Sequence, residues 1–276
     1  MQVILSRKGF DSSFGKGASP ILPDGRLLSI PIPETEKYYG LEYDKLKFTG
    51  NKNYLDLMKE LNLRIPQSRK CHLDPDLINN VKKRKPGWKA VFGQSGSAES
   101  HLRNQNVQKG DIFLFFGSFK RTHIRDKKLS FEKDYERHII FGYLQIAEIV
   151  KLDNKRAENI KKGFPELNWA FNHPHLRNKS SINSLYIAEK SGVFKYNEKL
   201  VLTKKGYSKS IWELPCYFHP KFGTKISRHS NKERFRIDGE KLTLETIGLG
   251  QDFLVSGNEK IEKWCISLIE NCETWA

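Results

Sequence analysis

Apolar positions along the chain fall mostly into short runs and alternations of strand length, broken by glycine, proline and charged residues. Val3-Ile4-Leu5 is a short apolar run that reads as a sheet strand, reaching the surface at Ser6. Pro20, Pro23, Pro31 and Pro33 frame Leu27-Leu28-Ser29-Ile30, which predicts a loop, a short strand after the Asp24-Gly25 turn, and another loop. Tyr54, Leu57, Met58 and Leu61 stand at helical spacing and predict a short amphipathic helix within residues 53–63. Lys109-Gly110-Asp111 is a tight turn feeding an aromatic-rich strand over 112–117, and His138 to Val150 reads as a long strand. Further on, the pattern predicts a helix over 181–191, strands over 193–196, 199–203, 241–247 and 253–255, and a closing helix capped by Asn258. In that last helix Ile261, Trp264, Cys265, Leu268, Ile269 and Cys272 share one face. With neither an internal repeat nor a low-complexity linker, residues 1–276 read as a single mixed domain of the α+β class.

The glycine-aspartate turn at Gly110-Asp111, the apolar strand after it and the later strand with Gly142 near its centre resemble PUA-like barrels of the ASCH and EVE kind. That resemblance implies a central, partly barrel-like sheet flanked by short helices, with a pocket able to accommodate a modified base.

Charge narrows the choice of partner. The chain of 276 residues carries 48 Lys and Arg against 32 Asp and Glu, a formal net charge of +16. Its 38% hydrophobic and 12% aromatic content is that of a folded core. A partner rich in negative charge is expected, and nucleic acid leads over an anionic membrane or an acidic protein. No apolar run reaches spanning length and no basic amphipathic helix stands out, so no membrane and no obligate protein partner are expected. The four cysteines, Cys71, Cys216, Cys265 and Cys272, show no zinc spacing. The opening residues lack a signal-peptide core, so free thiols in a reducing cytoplasm are expected.

Four polar clusters sit at strand ends or in glycine-rich loops: residues 6–15, His72/Asp74/Asp76, residues 93–101, and residues 248–252. The first places Arg7, Lys8, Asp11, Ser12 and Ser13 between Gly9 and Gly15 or just before them, directly behind a strand. It fits an anion-binding loop that holds a carboxylate, and equally a turn in which Asp11 caps backbone amides. The third offers Gln94, Ser97 and His101, where an amide suits a base edge and small residues let a ligand approach the backbone. The alternative is an exposed loop whose serines cap a helix. Gln251 and Asp252 follow two glycines and combine a turn with a site carboxylate. His173-Pro174-His175 invites a metal reading, yet the sequence places no further ligands; contact with phosphate or base, or a plain loop, is expected instead, with no metal and no cofactor. Lys82, Lys83, Arg84, Lys85 and Arg121 are candidates for phosphate contact. Phe116, Phe119 and Trp212 are candidates for stacking on bases, against the plainer reading of core aromatics. Neither a nucleophile elbow, nor a zincin motif, nor the Pro-Cys-x-x-Cys of zinc deaminases is present.

Taken together, Val3 to Ser13, Ser19 to Gly25, His72-Leu73-Asp74-Pro75-Asp76, Phe92-Gly93-Gln94 with Ser100-His101-Leu102, Gly110 to Gly117, and Gly250-Gln251-Asp252-Phe253 resemble the third nucleotide modification associated domain family. The chain also resembles bacterial phage-defence DNA glycosylases that excise glucosylated hydroxymethylcytosine. These resemblances imply work on hypermodified bases. The expected activity is that of a DNA glycosylase acting on double-stranded DNA with modified bases, in antiphage defence. Asp11 is the first candidate for the catalytic carboxylate, with Asp74 and Asp252 in reserve and Lys8 to stabilise the departing base or bind a flanking phosphate or, less favourably, to attack as an amine. Gln94, Ser97, His101, Phe116 and Gln251 would line the base pocket. Arg7, Ser12, Ser13, Lys82, Lys83, Arg84, Lys85, Arg121, His173 and His175 would contact the nucleic acid. In one respect the chain departs from the expected pattern, carrying Gln251-Asp252 where relatives would have Gln-Glu, which shortens that carboxylate's reach. Two other classes remain: a reader that binds modified bases without cutting, and a hydrolase of modified nucleotides.

Overall fold

A computed structural model describes residues 1–13, 15–34, 40–50, 52–133, 136–154, 162–170, 172–247 and 252–276. The chain begins with β1 (Val3–Arg7) and β2 (Ser19–Ile21) and then forms a lobe of short elements. These are β3 (Ile32–Pro33), β4 (Leu41–Glu42), β5 (Lys47–Thr49), β6 (Lys52–Asn53), helix α1 (Tyr54–Glu60) and β7 (Lys70–His72). Next come β8 (Val91–Ser95), α2 (Gly96–Asn104), β9 (Ile112–Arg125), β10 (Lys128–Phe131), β11 (Arg137–Lys151) and β12 (Asn183–Val193). The last part holds β13 (Ile211–Pro215), β14 (Lys225–Ile226), β15 (Phe235–Asp238), β16 (Lys241–Glu245), β17 (Asp252–Ser256) and α3 (Glu259–Asn271).

The main sheet runs β14-β17-β1-β9-β11-β12-β8, with β2 and β10 paired to the far half of β9. β1 lies parallel to β9, Val3 opposite Ile112, and antiparallel to β17, Ser6 opposite Asp252. Both faces of β1 are covered, which is why its sequence is a continuous apolar run rather than an alternation. The sheet core is aromatic: Phe92, Phe113, Phe115 and Tyr186 interlock with ring centroids between 4.9 and 5.8 Å apart. A second core, around Phe10, Leu28, Ile30, Tyr43, Tyr54, Leu57 and Met58, joins the short-element lobe to the loop after β1. The class is α+β, one large mixed sheet with few short helices. The expected barrel is not closed: β14 and β8 end the sheet path without pairing to each other. Instead the sheet curls so that Gln94 on β8 reaches Asp252 on β17, a side-chain link in place of backbone closure.

Four element predictions need correction. The strands predicted over 193–196 and 199–203 are instead isolated bridges at Phe194, Lys195, Val201 and Thr203, with a 3-10 turn over Glu198–Leu200. Residues 183–193 form strand β12, not the helix predicted over 181–191, because the segment is claimed on both sides, by β11 and by β8. Leu185, Tyr186, Ile187 and Ala188 are all buried, so both strand faces are apolar and the period of two that marks a half-buried strand is absent. Residues 27–30 form isolated bridges and coil rather than a strand. Elsewhere Asn53 caps α1 by accepting from the Asp56 N–H, and Asn258 caps α3 by accepting from the Lys260 N–H. Cys265 and Cys272 are buried core filling, and the four cysteines are free. Among the described residues no helix is long and apolar enough to cross a membrane.

Candidate functional site

The loop after β1 is held in place by its own backbone. Lys8 N–H donates to the Phe116 carbonyl at 2.8 Å and Phe10 N–H donates to the Ile30 carbonyl at 3.1 Å. Between them Gly9 bends the chain at φ 79°, where a Cβ would lie 2.4 Å from Ser29 Oγ. Phe10 is fully buried in the second core, an anchor that contributes about 1.5–3 kcal/mol. That anchor leaves Arg7, Lys8 and Asp11 turned toward a common pocket. Asp11 accepts from the Ser13 N–H at 2.7 Å, and its other oxygen lies 3.8 Å from Arg7 Nε. It is therefore a capping carboxylate and a pocket carboxylate at once. Lys8 Nζ sits 4.5 Å from the centre of the Phe92 ring.

The second arm is the segment after β7. Asp76 and Val91 exchange backbone hydrogen bonds at 2.8 and 3.1 Å, laying this segment along β8. Two residues earlier, Asp74 accepts from the Gly93 N–H at 2.8 Å. Three imidazoles surround its carboxylate: His173 Nε2 at 3.3 Å, His175 Nε2 at 3.6 Å and His72 Nε2 at 3.9 Å. Burial alone would raise the Asp74 pKa, but its contacts with His173 and His175 outweigh burial and hold it well below the usual carboxylate range. Burial in turn pushes the His173 pKa down. The Gly93 position is dictated by packing, since a Cβ there would stand 2.3 Å from the His175 ring.

These arms meet in a pocket of about 190 Å³ whose walls include Arg7, Lys8, Asp11, His72, Asp74, Gln94, Ser95, His175 and Asn178. A larger neighbour of about 460 Å³ shares the His72 wall and adds Glu34, Asn172, His173 and Arg177. Of the sequence candidates, the structure brings together Arg7, Lys8, Asp11, Asp74, Gln94 and His175.

Others lie elsewhere. Asp252 is 2% exposed and does not line the pocket; its oxygens accept from Ser6 Oγ at 2.6 Å and Gln94 Nε2 at 2.8 Å, so it orients Gln94. Gln251 lies outside the described residues, as do Gly248 to Gly250. His101 on α2 contacts Ser227 Oγ at 3.0 Å, with burial lowering its pKa, and Ser97 is exposed on the same helix. Phe116, Phe119 and Trp212 are core residues and offer no face for a base; Phe116 meets Trp212 edge-on at 5.0 Å. His173 and His175 are buried around Asp74 rather than displayed to phosphates. Arg84 is committed to its own loop: it binds Asp76 through two bonds of 2.6 Å and packs 4.3 Å from the Trp88 ring. Lys82 is half-buried beside the larger pocket, with burial lowering its pKa, while Lys83, Lys85, Ser12 and Ser13 are exposed. Arg121 stacks on Tyr196 at 4.4 Å with its side chain 40% exposed. Sequence reading grouped His72 with Asp74 and Asp76 in a polar cluster without giving it a role, and passed over Glu34, Asn178 and Asn183.

The fold and site define a class: an α+β protein whose curled sheet carries, at one end, a pocket combining basic residues, buried carboxylates and an oriented amide. The chain belongs to the family nucleotide modification associated domain 3, whose sequence model matches residues 2–256. No curated protein and no solved structure matches it. Membership associates the chain with modified nucleotides, in agreement with its charge and with the polar groups gathered in the pocket.

Proposed function

We propose that the protein is a DNA glycosylase that flips a hypermodified pyrimidine, such as glucosylated hydroxymethylcytosine, out of phage DNA and hydrolyses its N-glycosidic bond, in antiphage defence. The observation that carries this reading is that Asp11 and Asp74 share one pocket with Lys8 and Gln94. As the glycosidic bond breaks, positive charge develops on the sugar and negative charge on the departing base. Asp11 is suited to stabilise the cation or orient the attacking water, because Asp74 is already surrounded by histidines. The Lys8 ammonium is suited to the departing base, and Gln94, fixed by Asp252, to its hydrogen-bonding edge. The larger pocket beyond His72 has polar walls and room for a glycosyl substituent on the base. Flipping costs a few kcal/mol, offset by such contacts.

The test is incubation of the purified protein with glucosylated and unmodified phage DNA, followed by an assay for abasic sites. The expected outcome is abasic sites in the modified DNA only, lost in Asp11→Asn while DNA binding persists. If neither DNA loses bases, the glycosylase reading fails. Binding to modified DNA without base loss would instead identify a reader.

A further inference from the structure

We propose that His72, Asp74 and His175 bind one divalent transition-metal ion, of the zinc or iron(II) class, in the wall of the pocket that holds Lys8 and Asp11. Their donor atoms all lie within 4.8 Å of one another. Hydrogen bonds around the three residues settle how they face. Asn183 Nδ2 donates to the His175 carbonyl at 2.8 Å, so its Oδ1, 2.8 Å from His175 Nδ1, must accept a proton carried by that nitrogen. His72 Nδ1 lies 3.2 Å from a Glu34 carboxylate oxygen, which likewise places a proton on Nδ1. Both rings therefore turn Nε2 toward Asp74 Oδ2. The other Asp74 oxygen accepts from the Gly93 N–H at 2.8 Å, with His173 Nε2 close by at 3.3 Å.

This is the arrangement in which ligating imidazoles give their second nitrogen to a carboxylate or amide and a ligating carboxylate is braced through its other oxygen. The separations favour an ion over a hydrogen-bonded cluster. At 3.6 and 3.9 Å, neither Nε2 is within hydrogen-bond distance of Oδ2, yet all three atoms converge. Donors around a bound transition ion stand roughly 3 Å apart, since each lies about 2 Å from it. His72, the most exposed of the three, borders both cavities and is the ligand best placed to move toward the other two. Two imidazoles and a carboxylate suit zinc or iron(II) better than magnesium or calcium. Three protein ligands leave positions for water or substrate, as in catalytic rather than structural sites.

The proposal stands apart from the glycosylase reading, because bound metal is measured without any reaction. The full-length protein, stripped with chelator, is titrated with Zn²⁺ and Co²⁺ by calorimetry, and the Co²⁺ form is followed by visible absorption. The expected result is saturable one-to-one binding with a Co²⁺ spectrum typical of nitrogen and oxygen ligands. His72→Ala abolishes it, and Glu34→Gln weakens it by about 10–100-fold. Because His175 also packs on Gly93, His72→Ala is the deciding variant, with circular dichroism confirming that it folds. Absence of binding in the wild type, or unchanged binding in a folded His72→Ala, overturns the site. An ion bound by a protein that releases no base would leave the site standing and remove the glycosylase reading.

Discussion

Asp252 shows what a buried carboxylate does when it does not line the pocket. Its two oxygens satisfy Ser6 and Gln94 inside the sheet, so removing it leaves a buried amide and a buried hydroxyl without an acceptor. Asp252→Ala is expected to cost about 1–3 kcal/mol in chemical denaturation. Because Gln94→Ala removes the same bond from the other side, the double variant should cost less than the sum of the singles, with a coupling of about 0.5–3 kcal/mol. Additive losses would mean that Gln94 is oriented by something other than Asp252. At this scale the sequence was informative about residue type and silent about depth. Asp11, Asp74 and Asp252 all lie beside short strands and look alike in the text, yet Asp252 turns inward while the other two line a pocket. In the same way Arg84 reads as one cation in a basic run, and only Asp76, brought beside it by the bridge to Val91, reveals that the guanidinium is taken.

Among elements, strands with a turn before them or an apolar run of their own were legible: β1, β9, β11, β16 and β17 fall where the pattern places them. β12 was not, because its register is set by two partners distant in sequence, and a strand buried on both faces carries no alternation to reveal it. The convergence of polar clusters was illegible for a related reason. Gln94 lies on β8 at one end of the sheet path and Asp252 on β17, next to the other end, and only the curl of the sheet joins them. One close approach carries that geometry into the site. A Cβ on Gly117 of β9 would lie 2.5 Å from the Lys8 carbonyl oxygen, a backbone atom that cannot rotate away. Gly117→Ala should therefore shift the loop bearing Lys8 and Asp11, with a stability loss of about 1–3 kcal/mol in denaturant. On the proposed glycosylase reading, base release should fall in parallel, even though the substituted residue does not line the pocket. Wild-type base release from Gly117→Ala would show that the position of Lys8 does not matter to the reaction.

For the molecule as a whole, the +16 charge makes salt dependence the test between a polymeric and a small substrate. A protein that neutralises several phosphates releases the counterions condensed on them, so its affinity falls linearly with salt on logarithmic axes. A hydrolase of single modified nucleotides releases few. Duplex DNA binding is expected to weaken by about 10³–10⁵-fold between roughly 50 and 200 mM salt, the range for six to ten phosphate contacts. The exposed Lys83 and Lys85 follow the larger pocket's half-buried Lys82 in the chain, and replacing either with alanine should reduce the salt slope by about one. Arg84→Ala should behave differently although it sits between them. It leaves the Asp76 carboxylate buried without its partner, at a cost of about 3–5 kcal/mol, so its effect should appear first in stability. Titration of fluorescent duplexes over a salt series, with denaturation curves for the same variants, separates these outcomes. A shallow slope in the wild type would remove DNA as the partner and return the small-nucleotide hydrolase to first place.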